Sequence, residues 1–254
     1  MTIIKATGLD LIKAYKKRCG NKTALAWSGG KDSLATALVI RDHLDVLPIF
    51  HYMIPGLPFI EEALEYYRHK VFHGRRIVQF PHPSIYLWLN SAIYQTPDTW
   101  EVIRAANLIS PRGESISRFY ADCVDWACED AGWIKKGQSA TVFRATGVRA
   151  SDSVMRTVSF KQSGSLREKT KTWYPIWDMR KHQVEEIISK HNISLPIDYA
   201  LFGRSFDGIF ARFLVPIKRN LPKENWDKVL EFFPRADMEV FKYERFIETG
   251  TEAS

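Results

Sequence analysis

Ser28, Gly29, Gly30, Lys31, Asp32 and Ser33 stand in one unbroken run. Two adjacent glycines let the backbone bend sharply and let a ligand approach main-chain N–H groups. If a helix begins here, those N–H groups face an anion with the favourable end of the helix dipole. Ser28 and Ser33 add hydroxyl donors and Lys31 adds a cation, a set suited to phosphate or pyrophosphate. Asp32 is the exception, because a bare carboxylate repels phosphates. It fits as a helix cap or as a contact for a Mg²⁺ ion that bridges it to the phosphates.

The flanks supply the elements such a loop needs. Thr23–Trp27 predicts a short buried strand, and a helix is expected from about Leu34. A Walker A loop is excluded, since Gly29-Gly30 directly precede Lys31 with no glycine upstream at the required spacing. The run SGGKDS resembles the PP-loop of the N-type ATP pyrophosphatases, in the form typical of the phosphoadenosine-phosphosulfate (PAPS) reductase and ATP sulfurylase small-subunit branch.

A second cluster lies further on. Ala140–Thr146 predicts another buried strand, followed by Gly147, Arg149, Ser153 and Arg156. Two guanidinium groups just beyond a strand end are placed to hold oxyanions bidentately. The cluster resembles a Gly-x-Arg, Ser and Arg segment of the PAPS reductase family, which implies that Arg149 and Arg156 bind phosphates or the transferred group. Tyr174-Pro-Ile-Trp-Asp-Met179 and Leu195-Pro196 also resemble that family. Asp178 is expected to cap a helix over Arg180–His191. The resemblance covers residues of about 23 to 200. The family's loop after the second strand approaches adenine; here it reads His51-Tyr-Met-Ile-Pro-Gly-Leu-Pro-Phe59, departing from the usual acidic-Thr-Gly stretch, and Met53 is placed to cover a base face.

The chain has 254 residues and a formal net charge of +7, which suits anionic partners such as nucleotides or nucleic acid without choosing between them. No apolar run approaches the ~20 residues of a membrane span. No signal-peptide pattern opens the sequence, so a cytoplasmic location is expected. Cys19, Cys123 and Cys128 are three in number, so a paired disulfide framework is not expected. No C-x-x-C pair is present for zinc or many iron–sulfur sites. Buried structural thiols are the expectation for Cys123 and Cys128.

Residues 1–80 read as helix, strand, helix, strand, helix, strand. Val46–Tyr52 is apolar enough to be buried on both faces, as in a parallel sheet. The fold expected from the resemblance is α/β: a parallel-sheet, Rossmann-like adenine nucleotide alpha-hydrolase fold with a small C-terminal helical appendage. The expected division is a nucleotide-binding domain over 1–200 and the appendage over 201–254. Arg112–Arg118 reads as polar and glycine-containing. Phe160–Thr172 is polar, basic and glycine-containing; it is expected to be a loop, either a plain surface loop or a mobile lid. Arg204 and Asp207 are candidate acceptor contacts, and the tail ETGTEAS is expected to fray.

The resemblance implies an enzyme that cleaves ATP between the α and β phosphates and activates an acceptor as an adenylate. Lys31, Asp32, Arg149 and Arg156 are the expected catalytic set. Ser28, Gly29, Gly30, Lys31, Asp32, Ser33, Met53, Gly147 and Arg149 are the expected nucleotide contacts, with ATP and Mg²⁺ as cofactors. The acceptor stays open among sulfate, a carboxylate and a nucleic-acid base. A sulfonucleotide reductase is the first alternative, but that chemistry needs a cysteine thiolate, in the family from a C-terminal segment, and no cysteine follows Cys128. A nucleotide-binding subunit that turns over only with a partner protein is the second. Homo-oligomerisation is open.

Overall fold

The computed structural model describes residues 6–106 and 114–250. Arg112 and Gly113 of the polar stretch and the last four residues of the tail lie outside them. The described residues form an α/β protein with twelve α-helices and one six-stranded, mostly parallel sheet, an arrangement consistent with a Rossmann-like fold.

The first half follows the expected alternation: α1 Gly8–Cys19, β1 Lys22–Trp27, α2 Lys31–Ile40, β2 Asp45–Tyr52 and α3 Pro58–Lys70. The α1 stripe of Leu11, Ile12 and Tyr15 is buried as its spacing predicts. β3 covers Val78–Pro81. Next come α4 Ile85–Leu89, α5 Pro97–Ala105 and α6 Glu114–Asp130, then β4 Arg144–Ala145. A 3-10 turn at Ala150–Asp152 leads into α7 Val154–Ser163, β5 Leu166–Arg167, β6 Thr172–Trp173 and α8 Lys181–Lys190. α9 Ile197–Phe202, α10 Ala211–Asn220, α11 Lys223–Phe232 and α12 Ala236–Gly250 close the chain.

Two expectations change here. Phe160–Thr172 is not a plain loop. Its start completes α7, Leu166–Arg167 makes β5, and residues 168–171 turn back into β6, with which β5 pairs antiparallel at the sheet edge. Arg167 anchors that edge, stacked over Phe160 and Tyr174 and hydrogen-bonded to Ser159 Oγ at 3.0 Å. β6 ends at Trp173 and the chain turns through Tyr174–Met179, since Pro175 has no N–H to extend a ladder. Asp178 does not cap α8; Arg180 is the N-cap residue, and its N–H donates to Gln183 Oε1 at 2.8 Å.

The strand order is β3-β2-β1-β4-β6-β5. β1 pairs in parallel with β2 over Lys22↔Asp45 to Trp27↔Phe50, and with β4 at Ala24↔Arg144 and Leu25↔Ala145. The chain builds outward from β1 through β2 to β3, then resumes on the other flank with β4. The order therefore reverses between β1 and β4, and open α/β sheets hold ligands at such a switch point, beyond the carboxyl ends of the strands.

Two compact units make up the chain. The first takes in residues 1–51, 64–80 and 117–196; the second takes in 52–63, 81–116 and 197–254. The C-terminal helices thus share their unit with two earlier segments that the expected boundary at residue 200 had left with the nucleotide-binding domain. In the first unit, Leu47, Ile49, Val124, Ala127, Cys128 and Val142 form one buried cluster. Trp27 packs edge-on against Tyr67 and Phe72 at centroid distances of 5.1 and 5.0 Å. The second unit has its own core around Phe59, Tyr94, Leu214, Trp226 and Phe233. No helix among the described residues is long and apolar enough to cross a membrane.

Candidate functional site

The SGGKDS run occupies the switch point. β1 ends at Trp27, and α2 begins at Lys31 with Gly30 as its N-cap residue and no side-chain cap. Gly29 has φ +70°, a left-handed conformation that glycine adopts without cost and L side chains resist. Ser33 Oγ donates to the Gly30 carbonyl at 2.8 Å and lies 3.1 Å from Ser28 Oγ. The Gly30 N–H donates to Ser28 Oγ at 3.3 Å. The serines therefore brace the loop from within. Asp32 sits inside the first turn of α2, so its expected role as a cap is not what the fold uses.

The second cluster lies against the first. Gly147 follows β4, and a Cβ placed on it would stand 2.7 Å from both the carbonyl carbon and oxygen of Asp32 and 2.9 Å from Ser33 N. Real Cβ atoms do not approach a backbone that closely. Glycine is therefore required at 147 for the turn after β4 to press on the start of α2.

This contact delivers Arg149, whose side chain is 7% exposed, to Asp32: its Nε lies 3.2 Å from Asp32 Oδ1. That distance makes an ion pair, but the angle does not make a hydrogen bond, and neither Nε nor Nη1 of Arg149 has a hydrogen-bond partner among the described residues. Nη2 lies 2.7 Å from Asp152 Oδ1. Asp152 Oδ2 accepts from Arg156 Nη1 at 2.5 Å, and Lys31 Nζ is 3.0 Å from both oxygens of Asp32. Lys31, Asp32, Arg149, Asp152 and Arg156 thus form one continuous chain of opposite charges. Three cations face two carboxylates, leaving one positive charge in excess. Ser153 caps α7 by accepting from the Arg156 N–H at 3.2 Å, which holds Arg156 in the first turn.

Of the residues expected from the sequence, the structure brings together Ser28, Gly29, Gly30, Lys31, Asp32, Ser33, Gly147, Arg149 and Arg156. Met53 belongs to the second unit, where it is buried. Arg204 and Asp207 belong to that unit too and form an ion pair. Asp152 is the participant that sequence reasoning missed. Its signal was present: it stands three residues after Arg149 and four before Arg156, spacings that let neighbouring turns pair their charges.

No protein-family model matches this chain, and no curated protein matches it.

The arrangement suits an oxyanion. The N-terminus of α2 carries no side-chain cap, the loop before it is glycine-shaped, and a shielded guanidinium has donors in reserve. Among the described residues no group of three or more His, Cys, Asp or Glu could hold a metal ion. Asp32 is the carboxylate nearest the loop, and Lys31 already engages both of its oxygens. The thiols play no part in this cluster. Cys123 and Cys128 are free and buried, and desolvation pushes their pKa values up to about 12 and about 11.

Proposed function

We propose that this chain is a PP-loop enzyme of the PAPS reductase-like branch, with an adenine nucleotide alpha-hydrolase fold, which cleaves ATP between its α and β phosphates. The observation that carries the reading is the Gly147 contact. It sets Arg149, with two unbonded donor nitrogens, beside the uncapped start of α2. The leaving pyrophosphate would be held by Lys31 and by the N–H groups of Gly29 and Gly30. Arg149 and Arg156 would neutralise the α-phosphate or the acceptor anion. No side-chain nucleophile is needed, because stabilising charge in an in-line displacement supplies the catalysis.

Mg²⁺ would arrive as Mg·ATP. One carboxylate plus substrate phosphates is the usual way this ion is held, and Asp32 is the residue in reach once Lys31 turns to the phosphates. The bound ion would neutralise the pyrophosphate as it leaves. A sulfonucleotide reductase is disfavoured by the raised pKa values of Cys123 and Cys128, which keep both thiols protonated near neutral pH. The acceptor would be an anion or base such as sulfate, a carboxylate or a nucleic-acid base, activated as an adenylate.

The test is incubation of purified protein with Mg·ATP and separation of the products. AMP and pyrophosphate, lost in Lys31→Ala, support the reading. ADP and phosphate would overturn cleavage at the α-phosphate, and absence of any ATP binding would overturn the nucleotide assignment altogether.

A further inference from the structure

A cavity of about 370 Å³ lies beside α6 in the first unit, away from the SGGKDS loop. Arg118, Tyr120, Asp122, Arg144, Lys169 and Lys171 contribute to its lining. The lining residues around Ala140 and Lys171 precede β4 and β6. This part of the cavity therefore belongs to the amino-terminal end of those parallel strands. The SGGKDS and Gly147 turns follow the opposite, carboxyl ends.

Arg144 is the unexplained residue. Its side chain rises from β4 into the cavity wall, and its Nε is shielded from solvent with no hydrogen-bond partner. No carboxylate, carbonyl or hydroxyl among the described residues pairs with its guanidinium. Its guanidinium stacks on the Tyr120 ring, 4.9 Å from the centroid, and also feels the Tyr174 hydroxyl and the Cys123 thiol. Burial lowers its pKa below the usual arginine value. A partly desolvated guanidinium whose Nε is sealed from solvent without an acceptor is costly, and a cation–π contact offsets only part of that cost. Native proteins seldom leave such a group unmatched. Two acids also line the cavity: Asp122, and Asp125, whose Oδ1 accepts from the Ala140 N–H at 2.7 Å. Lys171 donates to the Ala140 carbonyl at 2.7 Å, holding its ammonium at the cavity rim.

We propose that this cavity is a second ligand site, in which Arg144 binds the oxyanion of a small metabolite bearing a carboxylate, phosphate or sulfate. Arg118, Lys169 and Lys171 add positive charge around it, and Tyr120 offers an aromatic wall to the rest of the ligand. The volume lies within the range of small-molecule sites.

The test titrates the full chain with sodium sulfate, phosphate or acetate at constant ionic strength set with chloride, and follows the Arg144 Nε–H resonance by NMR. Its assignment comes from Arg144→Met, where the resonance is absent, or from Arg144→Lys if the first variant does not fold. A saturable shift with one of these anions is expected in the wild type and equally in Lys31→Ala, and the responding anion names the acid. Arg144→Met is expected to match or exceed wild-type thermal stability in chloride and to lose the rise of roughly 2–4 °C that the bound anion gives the wild type. No shift, a drift that never saturates, or a shift that vanishes in Lys31→Ala would overturn the assignment. Equal destabilisation of Arg144→Met in chloride and in the responding anion would also overturn it, by marking a packing role.

Discussion

Gly147 and Asp32 are in backbone contact so close that no side chain fits between them; even a Cβ on Gly147 would lie 2.7 Å from the Asp32 carbonyl. Two loops 115 positions apart in sequence are thereby fused into one surface at the switch between β1 and β4. Gly147→Ala is expected to force the loops apart, lowering stability by about 1–3 kcal/mol and weakening ATP binding at least tenfold as Arg149 moves off the start of α2. Chemical denaturation together with calorimetry separates the two effects. Unchanged ATP affinity would show that the contact is structural only.

Asp152 holds Arg149 and Arg156 through its two oxygens, and its own side chain is only 19% exposed. Asp152→Asn removes the charge while keeping the shape. Stability is expected to fall by about 1–3 kcal/mol, since Arg149 loses its carboxylate partner. The α-phosphate of bound ATP can then substitute for that missing anion. The ligand-induced rise in melting temperature is therefore expected to be larger in Asp152→Asn than in the wild type. A smaller rise would mean that Asp152 preorganises the arginines for the ligand and does not compete with it.

Much of this site was legible because its parts are local. Adjacent glycines, a following apolar run and an apolar strand before them all describe one strand–turn–helix unit, although the helix begins at Lys31, earlier than the expected start near Leu34. Gly147 with Arg149 and Arg156 repeats the logic. What escaped depends on pairing across distance. β5 has two residues and exists only because Leu166 and Arg167 find Trp173 and Thr172. The second unit joins residues 52–63 and 81–116 to the C-terminal helices through a shared core, and no composition break marks those joints. Asp152 showed its spacing but not its partners. Arg144 read as an ordinary strand residue, since one sequence does not reveal that a guanidinium lacks an acceptor.

The buried thiols set an alkaline limit on stability. Desolvation raises Cys123 to about 12 and Cys128 to about 11 from an ordinary value near 9. The folded chain therefore keeps both protons while the unfolded chain loses them. Their contribution is complete below pH ~9 and is lost as pH rises toward 11–12, where the folded thiols ionise as well. Cys128→Ala is expected to flatten the fall in stability between pH 9 and 11, measured by denaturation across that range. In native protein at pH 8, a thiol reagent is expected to modify Cys19 alone, and all three cysteines after unfolding. Rapid modification of Cys123 or Cys128 in the native state would contradict the burial on which this rests.

Thr23 offers a test of the sheet that is independent of the site. Its hydroxyl donates to the Phe143 carbonyl at 2.8 Å and accepts from Trp173 Nε1 at 2.9 Å, joining β1 to the segments of β4 and β6 beneath α1. Tyr15 of α1 stacks on Trp173 at 4.2 Å and seals this corner. Thr23→Val keeps the volume but leaves a fully buried indole N–H without its acceptor. The expected cost is about 1–3 kcal/mol, read as a lower denaturation midpoint with an unchanged slope. Because Thr23 lies at the amino end of β1, away from the Ser28–Ser33 turn, ATP affinity is expected to stay within about twofold of the wild type, a difference of less than ~0.5 kcal/mol. A large loss of affinity with intact stability would instead tie this corner of the sheet to the loop at its far end.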